Sequence, residues 1–506
     1  MRPTLGLTGV TVNAMALIAP GAFLWITLQI QSAQTVPGGT ASTALDIWPG
    51  IVFALILAFM TALSYSELAR IYPEAGSGSC YYFAEKAFVD KAEIRHHRWA
   101  RIAKLVTGWA AHLFYWVYPG VMVAFMAILI SYILGQFGLD IGLVPQMVIA
   151  VLFAILVGYI ALRGVNGSTM TALVINVVQL VALVGFSAIA IWYRVANPDN
   201  AQFVHPTATS VILPKGVLNV LMQSTVAILI LVGFESCTAF GAEAKNARRD
   251  VPRAVIIALV VQGLFAYLIE YFAANFAISD KLTGTAADGT ALTGLDAAGA
   301  SSAPMGDLIR LIGDSLLGGV GFGLMVVIAI TVALAILSTT LSAMNTGVRI
   351  TFAMAQDKEM PEPLGLLHST FVTPHMAVFA MIAVSAVIGV IGVISVVTLT
   401  GITLASNFGT FVLYALTCLW AIIAFASRPD FNWLKHLVVP GLGLLANIVM
   451  LVTILGVGIV GGGDSQTESL IAVGFAAVWA VASGIYVVMS NRRTGRSLVT
   501  QPKAAA

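Results

Sequence analysis

Charge is what this sequence has least of. Asp, Glu, Lys and Arg together make up 9% of the 506 residues, against about 25% in an ordinary soluble domain. So few charges cannot coat a globular surface. With 59% hydrophobic residues and a mean hydropathy of +0.94, the chain has no room for a large soluble domain. A formal net charge of +2 offers no basic surface for a nucleic-acid partner. Cysteine is scarce too. Cys80, Cys237 and Cys418 are odd in number, lie in or beside different apolar runs and lack metal-ligand spacing, so they read as small packing residues. There is no G-x-x-x-x-G-K-S/T loop, no metal-binding cluster and no nucleophile–base pair, which argues against nucleotide hydrolysis and against a membrane-embedded enzyme. A cleavable signal is not expected: the first apolar segment follows Arg2, lacks a small-residue cleavage site and is interrupted at Pro20 and Gly21.

What the chain does have is apolar blocks of roughly 20 residues, the length of a helix that crosses a bilayer. Twelve spans are expected, near 6–31, 47–70, 102–134, 143–163, 171–194, 218–243, 254–277, 316–346, 373–394, 399–425, 435–460 and 468–490. With the N-terminus inside, only Arg194, Lys215, Lys281 and Arg310 of the 25 Lys and Arg fall in external segments. That asymmetry supports the orientation, with both termini cytoplasmic in a cytoplasmic (inner) membrane. The fold class is an all-α polytopic membrane protein in contact with the lipid bilayer.

Two spans carry a break. In AILILVGFESCTAFGAEAKNARRDVPRAVI, residues 227–256, Gly233, Phe234, Glu235 and Ser236 interrupt the sixth span. An acid inside an apolar span is costly and marks a site for substrate, ions or protons, and the adjacent glycine lets the backbone leave helical geometry. In the first span Ala19, Pro20 and Gly21 interrupt NAMALIAPGAFLWI; proline removes a backbone donor and clashes with the preceding turn. Spans 1 and 6 open two halves of five helices each. Paired interrupted helices at matching positions of two halves point to a transporter site at mid-membrane, and because five is odd the repeats are inverted.

Other spans hold weaker signals. HLFYWVYPG in span 3 places Tyr115 where it either lines a cavity or packs, and His112 reads as a hydrogen-bonded structural histidine. Span 8 carries a polar stripe of Thr331, Ser338, Ser342, Asn345 and Arg349 at helical spacing. Its small residues suit close packing, while Ser338 and Thr339 also offer oxygens to a Na⁺ ion. Residues 278–315 form a long external loop in which Asp307, Arg310 and their apolar neighbours suggest a short amphipathic helix. Glu270, nearer the external end of span 7, is expected to be solvent-reachable or paired.

Taken together, LIAPGAFLW, SYSELARIYPEAGSGSCYYFAEKAF (64–88), GFES with EAKNARRDVPRAV, and VRITFAMAQDKEMPEPLGLLHSTFVTP (348–374) resemble the amino acid–polyamine–organocation (APC) superfamily in register over roughly residues 5–425. The resemblance implies a five-plus-five inverted-repeat fold like that of the bacterial leucine transporter, working by alternating access. It divides the chain into a core of 1–425, with repeats at approximately 6–194 and 218–425, two accessory helices in 426–490 and a cytoplasmic tail of 491–506. It implies that backbone amides at Ile18, Ala19, Pro20, Gly21 and Ala22 hold the substrate's carboxylate, Pro20 giving no donor. An exposed helix N-terminus supplies the partial positive charge. Val232, Gly233, Phe234, Glu235 and Ser236 then meet the amino group, Phe234 acting as a lid, with Tyr115 beside them. Glu235 matches an acid that relatives use in proton sensing or substrate contact.

Two departures bear on coupling. Ala19 replaces the usual first glycine of the break, and Gln179 stands where many proton-coupled relatives have a lysine. Proton coupling through Glu235, Na⁺ coupling through Ser338 and Thr339, and uncoupled exchange all remain open; no other cofactor is expected. On the cytoplasmic face Glu67, Glu243, Arg349 and Asp357 are candidates for an ionic gate. The expected function is secondary active transport of an amino acid or related amine. A polyamine or amine exchanger is the alternative, and a channel or a membrane enzyme ranks behind both. Substrate, direction and oligomeric state are not given by the sequence.

Overall fold

A backbone in hydrocarbon has no water to bond, so long apolar segments must satisfy themselves as helices. The computed structural model, which describes residues 4–18, 24–36, 39–73, 78–89, 94–163, 168–286 and 288–494, obeys that rule throughout. Its helices are α1 (Leu7–Ile18), α2 (Leu24–Ala33), α3 (Ile47–Ile71), α4 (Cys80–Val89), α5 (Ile94–Gln136), α6 (Leu143–Arg163), α7 (Ser168–Ala196), α8 (Ala208–Ile212) and α9 (Val217–Ala227). They continue as α10 (Ala247–Leu259), α11 (Leu268–Ala277), α12 (Gly294–Ala300), α13 (Pro304–Leu317), α14 (Gly321–Gln356), α15 (His375–Gly392), α16 (Val396–Phe425), α17 (Val439–Val452) and α18 (Gly463–Thr494). Among the described residues 11 helical stretches are long and apolar enough to cross a membrane. The protein is an all-α polytopic membrane protein. The expected first span is present as α1 and α2; residues 19–23 between them lie outside the described residues, as does the tail from 495 onward.

Span limits move by a few residues at most ends and by more at three, the third span starting at Ile94 rather than 102. α10 starts at Ala247, so Arg248, Arg249, Pro252 and Arg253 are helical, and α14 runs on to Gln356, which brings Arg349 onto the helix. The sixth span is interrupted as expected. After α9 a short 3-10 turn covers Ile228–Ile230, and a second tight helix, Phe234–Glu243, follows Gly233. Gly233 has φ of +125°, a conformation that a residue with a Cβ adopts only under strain. The seventh span widens into a π-helical stretch at Val260–Tyr267 between α10 and α11, a feature that often marks functional sites.

The long loop is more ordered than its composition suggests. Strand β1 (Thr283–Thr285) pairs antiparallel with β2 (Ala291–Thr293), and α12 and α13 follow. α13 is the expected amphipathic helix: Met305, Leu308, Ile309 and Ile312 are buried, and Gly318 closes it in the left-handed conformation at φ +67°. Both helices pack on α2 and cover the end of the bundle opposite the basic segments. The contact is close. A Cβ on Gly306 would meet Trp25 Cζ2 at 2.7 Å. Asp307 accepts from Tyr132 Oη on α5 at 2.8 Å, and Arg310 Nη1 donates to Gln136 Oε1 at 2.5 Å, which ties α13 to α5 as well. The three cysteines are free and buried, in keeping with packing roles.

Candidate functional site

The last carbonyls of a helix have no partner within it; those of α1 (Leu7–Ile18), and Val12 O a turn before them, find partners on other helices. Asn176 Nδ2 of α7 donates to Val12 O at 3.3 Å, and Gln262 Nε2 of the π stretch to Met15 O at 2.8 Å. Thr339 Oγ1 of α14 donates to Ala16 O at 3.1 Å. Tyr118 Oη of α5 donates to Leu17 O at 3.4 Å, and Tyr267 Oη to Ile18 O at 2.8 Å. This clamp holds the end of α1 against the interruption in the sixth span. A Cβ on Gly233 would lie 2.9 Å from Ile18 N and from Leu17 Cβ. The described end of α1 therefore meets the interruption of the sixth span: Ile18 is in contact with Gly233. Ala19, Pro20, Gly21 and Ala22 lie outside the described residues.

Glu235 stands beside that contact with 2% of its surface exposed. Its Oε1 accepts from Tyr115 Oη at 3.0 Å, and its Oε2 from Tyr414 Oη at 2.8 Å and from Gly233 N at 3.0 Å. Three donors compensate a charge that would otherwise be prohibitive in this setting. Phe234, fully buried, packs against Tyr414 and edge-on to Tyr65, with ring centroids at 5.4 and 6.2 Å. Ser236 turns back locally, its Oγ donating to Gly233 O at 2.6 Å, and Val232 is buried in the same turn. The described sequence candidates Ile18, Tyr115, Val232, Gly233, Phe234, Glu235 and Ser236 thus form one cluster.

Elsewhere the structure redistributes the candidates. Thr339 reaches α1 through the Ala16 carbonyl, and Ser338 beside it is half-buried. His112 is fully buried, with Nε2 at 3.1 Å from Thr351 Oγ1 and its ring against Trp109 and Trp116, a structural histidine as expected. The four-residue gate does not form as one cluster. Arg349 Nη2 pairs with Glu243 Oε1 at 2.9 Å, and its guanidinium lies 4.2 Å from the Phe240 ring centroid. Asp357 instead accepts from Tyr81 Oη at 3.0 Å and pairs with Lys104 at 2.8 Å. Glu67 pairs with Arg70 at 2.8 Å, and Arg70 also reaches Asp430. Glu67 is one turn from Arg70 on α3 and pairs with it rather than with Arg349. The expectation for Glu270 is likewise corrected: it is 2% exposed, and its Oε2 meets no hydrogen-bond partner among the described residues.

Sequence reasoning missed Tyr414, Tyr65, Gln262, Asn176 and Tyr267. Each is a polar side chain inside an apolar span, where an unsatisfied hydroxyl or amide is costly; all but Tyr65, which contributes its ring to Phe234 and Tyr414, found a hydrogen-bond partner that the sequence does not name. At the covered end, a cavity of about 170 Å³ is lined by Gln29, Ser131, Gln146, Ser302, Ser395 and Leu399 among others. It lies beside α2 and the loop before α13.

Comparison with known proteins gives a consistent picture. A profile of the family described as amino acid permease matches residues 4–488. The chain is 23% identical over 347 residues to a methylthioribose transporter of Bacillus subtilis, covering 67% of this chain and 66% of that protein. It is 26% identical over 278 residues to a low-affinity putrescine importer of Escherichia coli, covering 54% of each. It is 25% identical over 346 residues to a branched-chain amino acid permease of Lactococcus lactis, covering 67% of each. The first two matches thus span between about half and two thirds of those relatives' own lengths.

Proposed function

Since the chain belongs to the amino acid permease family, we propose that it is a secondary transporter that moves an amino acid or a related amine across the cytoplasmic membrane by alternating access, the basic end and both termini facing the cytoplasm. The substrate sits where the end of α1 meets the interruption of the sixth span. The observation that carries this reading is the contact of Ile18 with Gly233. It supports a five-plus-five inverted repeat whose two broken helices share one site at mid-membrane. Backbone donors from 19–22 and carbonyls around Val232–Phe234 would then take the two ends of a zwitterion, with Phe234 as the movable ring over it.

The second reading, a polyamine or amine exchanger, is supported by the names of relatives such as the putrescine importer. In that case Glu235 would take the substrate ammonium itself. Its existing bonds to Tyr115, Tyr414 and Gly233 favour the zwitterion, because a carboxylate so engaged has little capacity left for a cation. Thermal stabilisation of the purified protein by a panel of amino acids, amines and polyamines, with and without Na⁺, separates the two. A ligand at a hundred times its dissociation constant adds about 2.7 kcal/mol. A zwitterionic amino acid is expected to raise the melting temperature, while a rise with polyamines alone would favour the exchanger. Dependence on Na⁺ that is lost in Ser338→Ala and Thr339→Ala would favour an ion at those two residues.

Arg349 and Glu243 hold α14 to the end of the Phe234–Glu243 segment on the basic face. Both are partly exposed, so the pair contributes about 0–1 kcal/mol. A bias of about 1 kcal/mol nonetheless shifts a two-state equilibrium roughly fivefold. Arg349→Glu is therefore expected to raise the labelling rate of a cysteine introduced by Ala239→Cys several-fold. An unchanged rate would remove the pair from the gate.

A further inference from the structure

Glu270 lines a cavity of about 20 Å³ together with Trp25 of α2, Gln179 of α7, Thr331 of α14, and Met305 and Ile309 of α13. Trp25 is 1% exposed, Gln179 2% and Glu270 2%. The indole Nε1 of Trp25, both Oε1 and Nε2 of Gln179 and Oε2 of Glu270 meet no hydrogen-bond partner among the described residues. Buried polar atoms are nearly always paired. Orphaned atoms from three separate helices converging on one cavity therefore make a polar site, built between elements that are otherwise apolar.

Among the described residues, the neighbouring polar and charged groups are engaged elsewhere and do not neutralise Glu270. On its own span Tyr267 is bound to Ile18 O, and Tyr271 shares a hydrogen bond with Thr27 Oγ1. Asp46, before α3, caps α9 through Lys215 N and Gly216 N. On α13, Asp307 holds Tyr132 and Ser301, Arg310 holds Gln136, and Asp314 accepts from Gly321 N. α2, α7 and α14 present Trp25, Gln179 and Thr331 to the cavity, none of them charged. An ionised carboxylate with neither a cation nor donors of its own is the costliest state for this position. A proton removes that charge and gives the carboxyl a donor. The cavity exceeds the roughly 10–15 Å³ that one water needs. A water there accepts from the Trp25 N–H or the Gln179 amide and donates to Gln179 Oε1 or to Glu270. A metal ion fits less well. Hard cations take an all-oxygen shell, whereas Trp25 Nε1 and Gln179 Nε2 bring N–H groups to the cavity.

We propose that Glu270, Gln179 and Trp25 form a proton-binding site in the half of the membrane away from the basic segments, with one proton on Glu270 relayed through one ordered water. Met305 and Ile309 roof the cavity, and Gly306 seats α13 on Trp25. The site therefore exchanges protons with the outside when α13 lifts from α2, and traps the proton when α13 closes. The site itself stands on its geometry; its use as the coupling ion of transport rests on the transporter reading.

Infrared difference spectra of the purified full-length protein in lipid discs, taken between pH 5 and pH 9 in H₂O and in D₂O, test the site without any substrate. The expected result is the carbonyl stretch of a protonated carboxyl, shifted in D₂O, lost in Glu270→Gln and kept in Glu235→Gln. Gln179→Leu, which removes the neighbouring amide, should displace that band, and this decides the matter if Glu270→Gln does not fold. Gly306→Val, which props α13 off Trp25, should speed the deuterium shift several-fold. A spectrum without the band, a band that survives Glu270→Gln, or one abolished by Na⁺ at constant pH would overturn the proposal, the last in favour of a metal-ion site. If the spectra behave as expected while no amino acid or amine stabilises the protein, the proton site stands and the transport reading falls.

Discussion

Gly233→Val is expected to abolish ligand-dependent stabilisation and to lower the melting temperature markedly. Two costs add. The native φ of +125° is strained for any residue with a Cβ, by roughly 1–3 kcal/mol. The new Cβ would also lie 2.9 Å from Ile18 N and from Leu17 Cβ, where the five hydrogen bonds that clamp the α1 carbonyls leave little freedom to yield. Overpacking of this kind costs roughly 1–3 kcal/mol more. Because the displaced atoms belong to the end of α1, the damage falls on the site itself as well as on stability. Gly233→Ala should show the same loss at smaller scale. Thermal shift with the best ligand of the panel measures both effects, and wild-type binding by Gly233→Ala would remove this contact from the site.

Glu235→Leu is expected to come second, losing several kcal/mol, because it deletes the shared acceptor of a buried hydrogen-bond network. The loss comes mostly from what is left behind. Tyr115 Oη, Tyr414 Oη and Gly233 N would each lack an acceptor, at roughly 1–3 kcal/mol for an unsatisfied buried donor. Glu235→Gln keeps one oxygen and should lose only part of this. A triple variant, Glu235→Leu with Tyr115→Phe and Tyr414→Phe, removes both hydroxyls together with their acceptor and should recover most of the stability, since neighbouring effects are not additive. That recovery divides two roles for the acid. If ligand affinity returns along with stability, Glu235 positions the site through its tyrosines. If stability returns and affinity does not, the carboxylate touches the substrate.

Hydropathy alone determined that this is a helical membrane protein, where most of its spans lie, and that the sixth span breaks at Gly233. Lipid offers no alternative partner for backbone groups, so length and apolarity translate into helices with little ambiguity. The same logic marked Glu235 and Glu270 as side chains that must answer to something. It could not say to what. Whether Glu235 meets Tyr414, and whether Gln262 meets the carbonyl of Met15, depends on the rotation and depth of helices far apart in the chain, and neither leaves a trace in local sequence. The charges on the basic face show the same limit: Arg349 found Glu243, while Glu67 was taken by its helix neighbour Arg70 and Asp357 by Lys104 and Tyr81. Glu270 shows it most sharply. Its position near a span end suggested contact with water, and only the packing of α13 over α2 enclosed it. Secondary structure in a bilayer follows from a property each segment carries by itself. The partner of a buried polar group is decided by which other segments happen to face it, and only the tertiary structure holds that information.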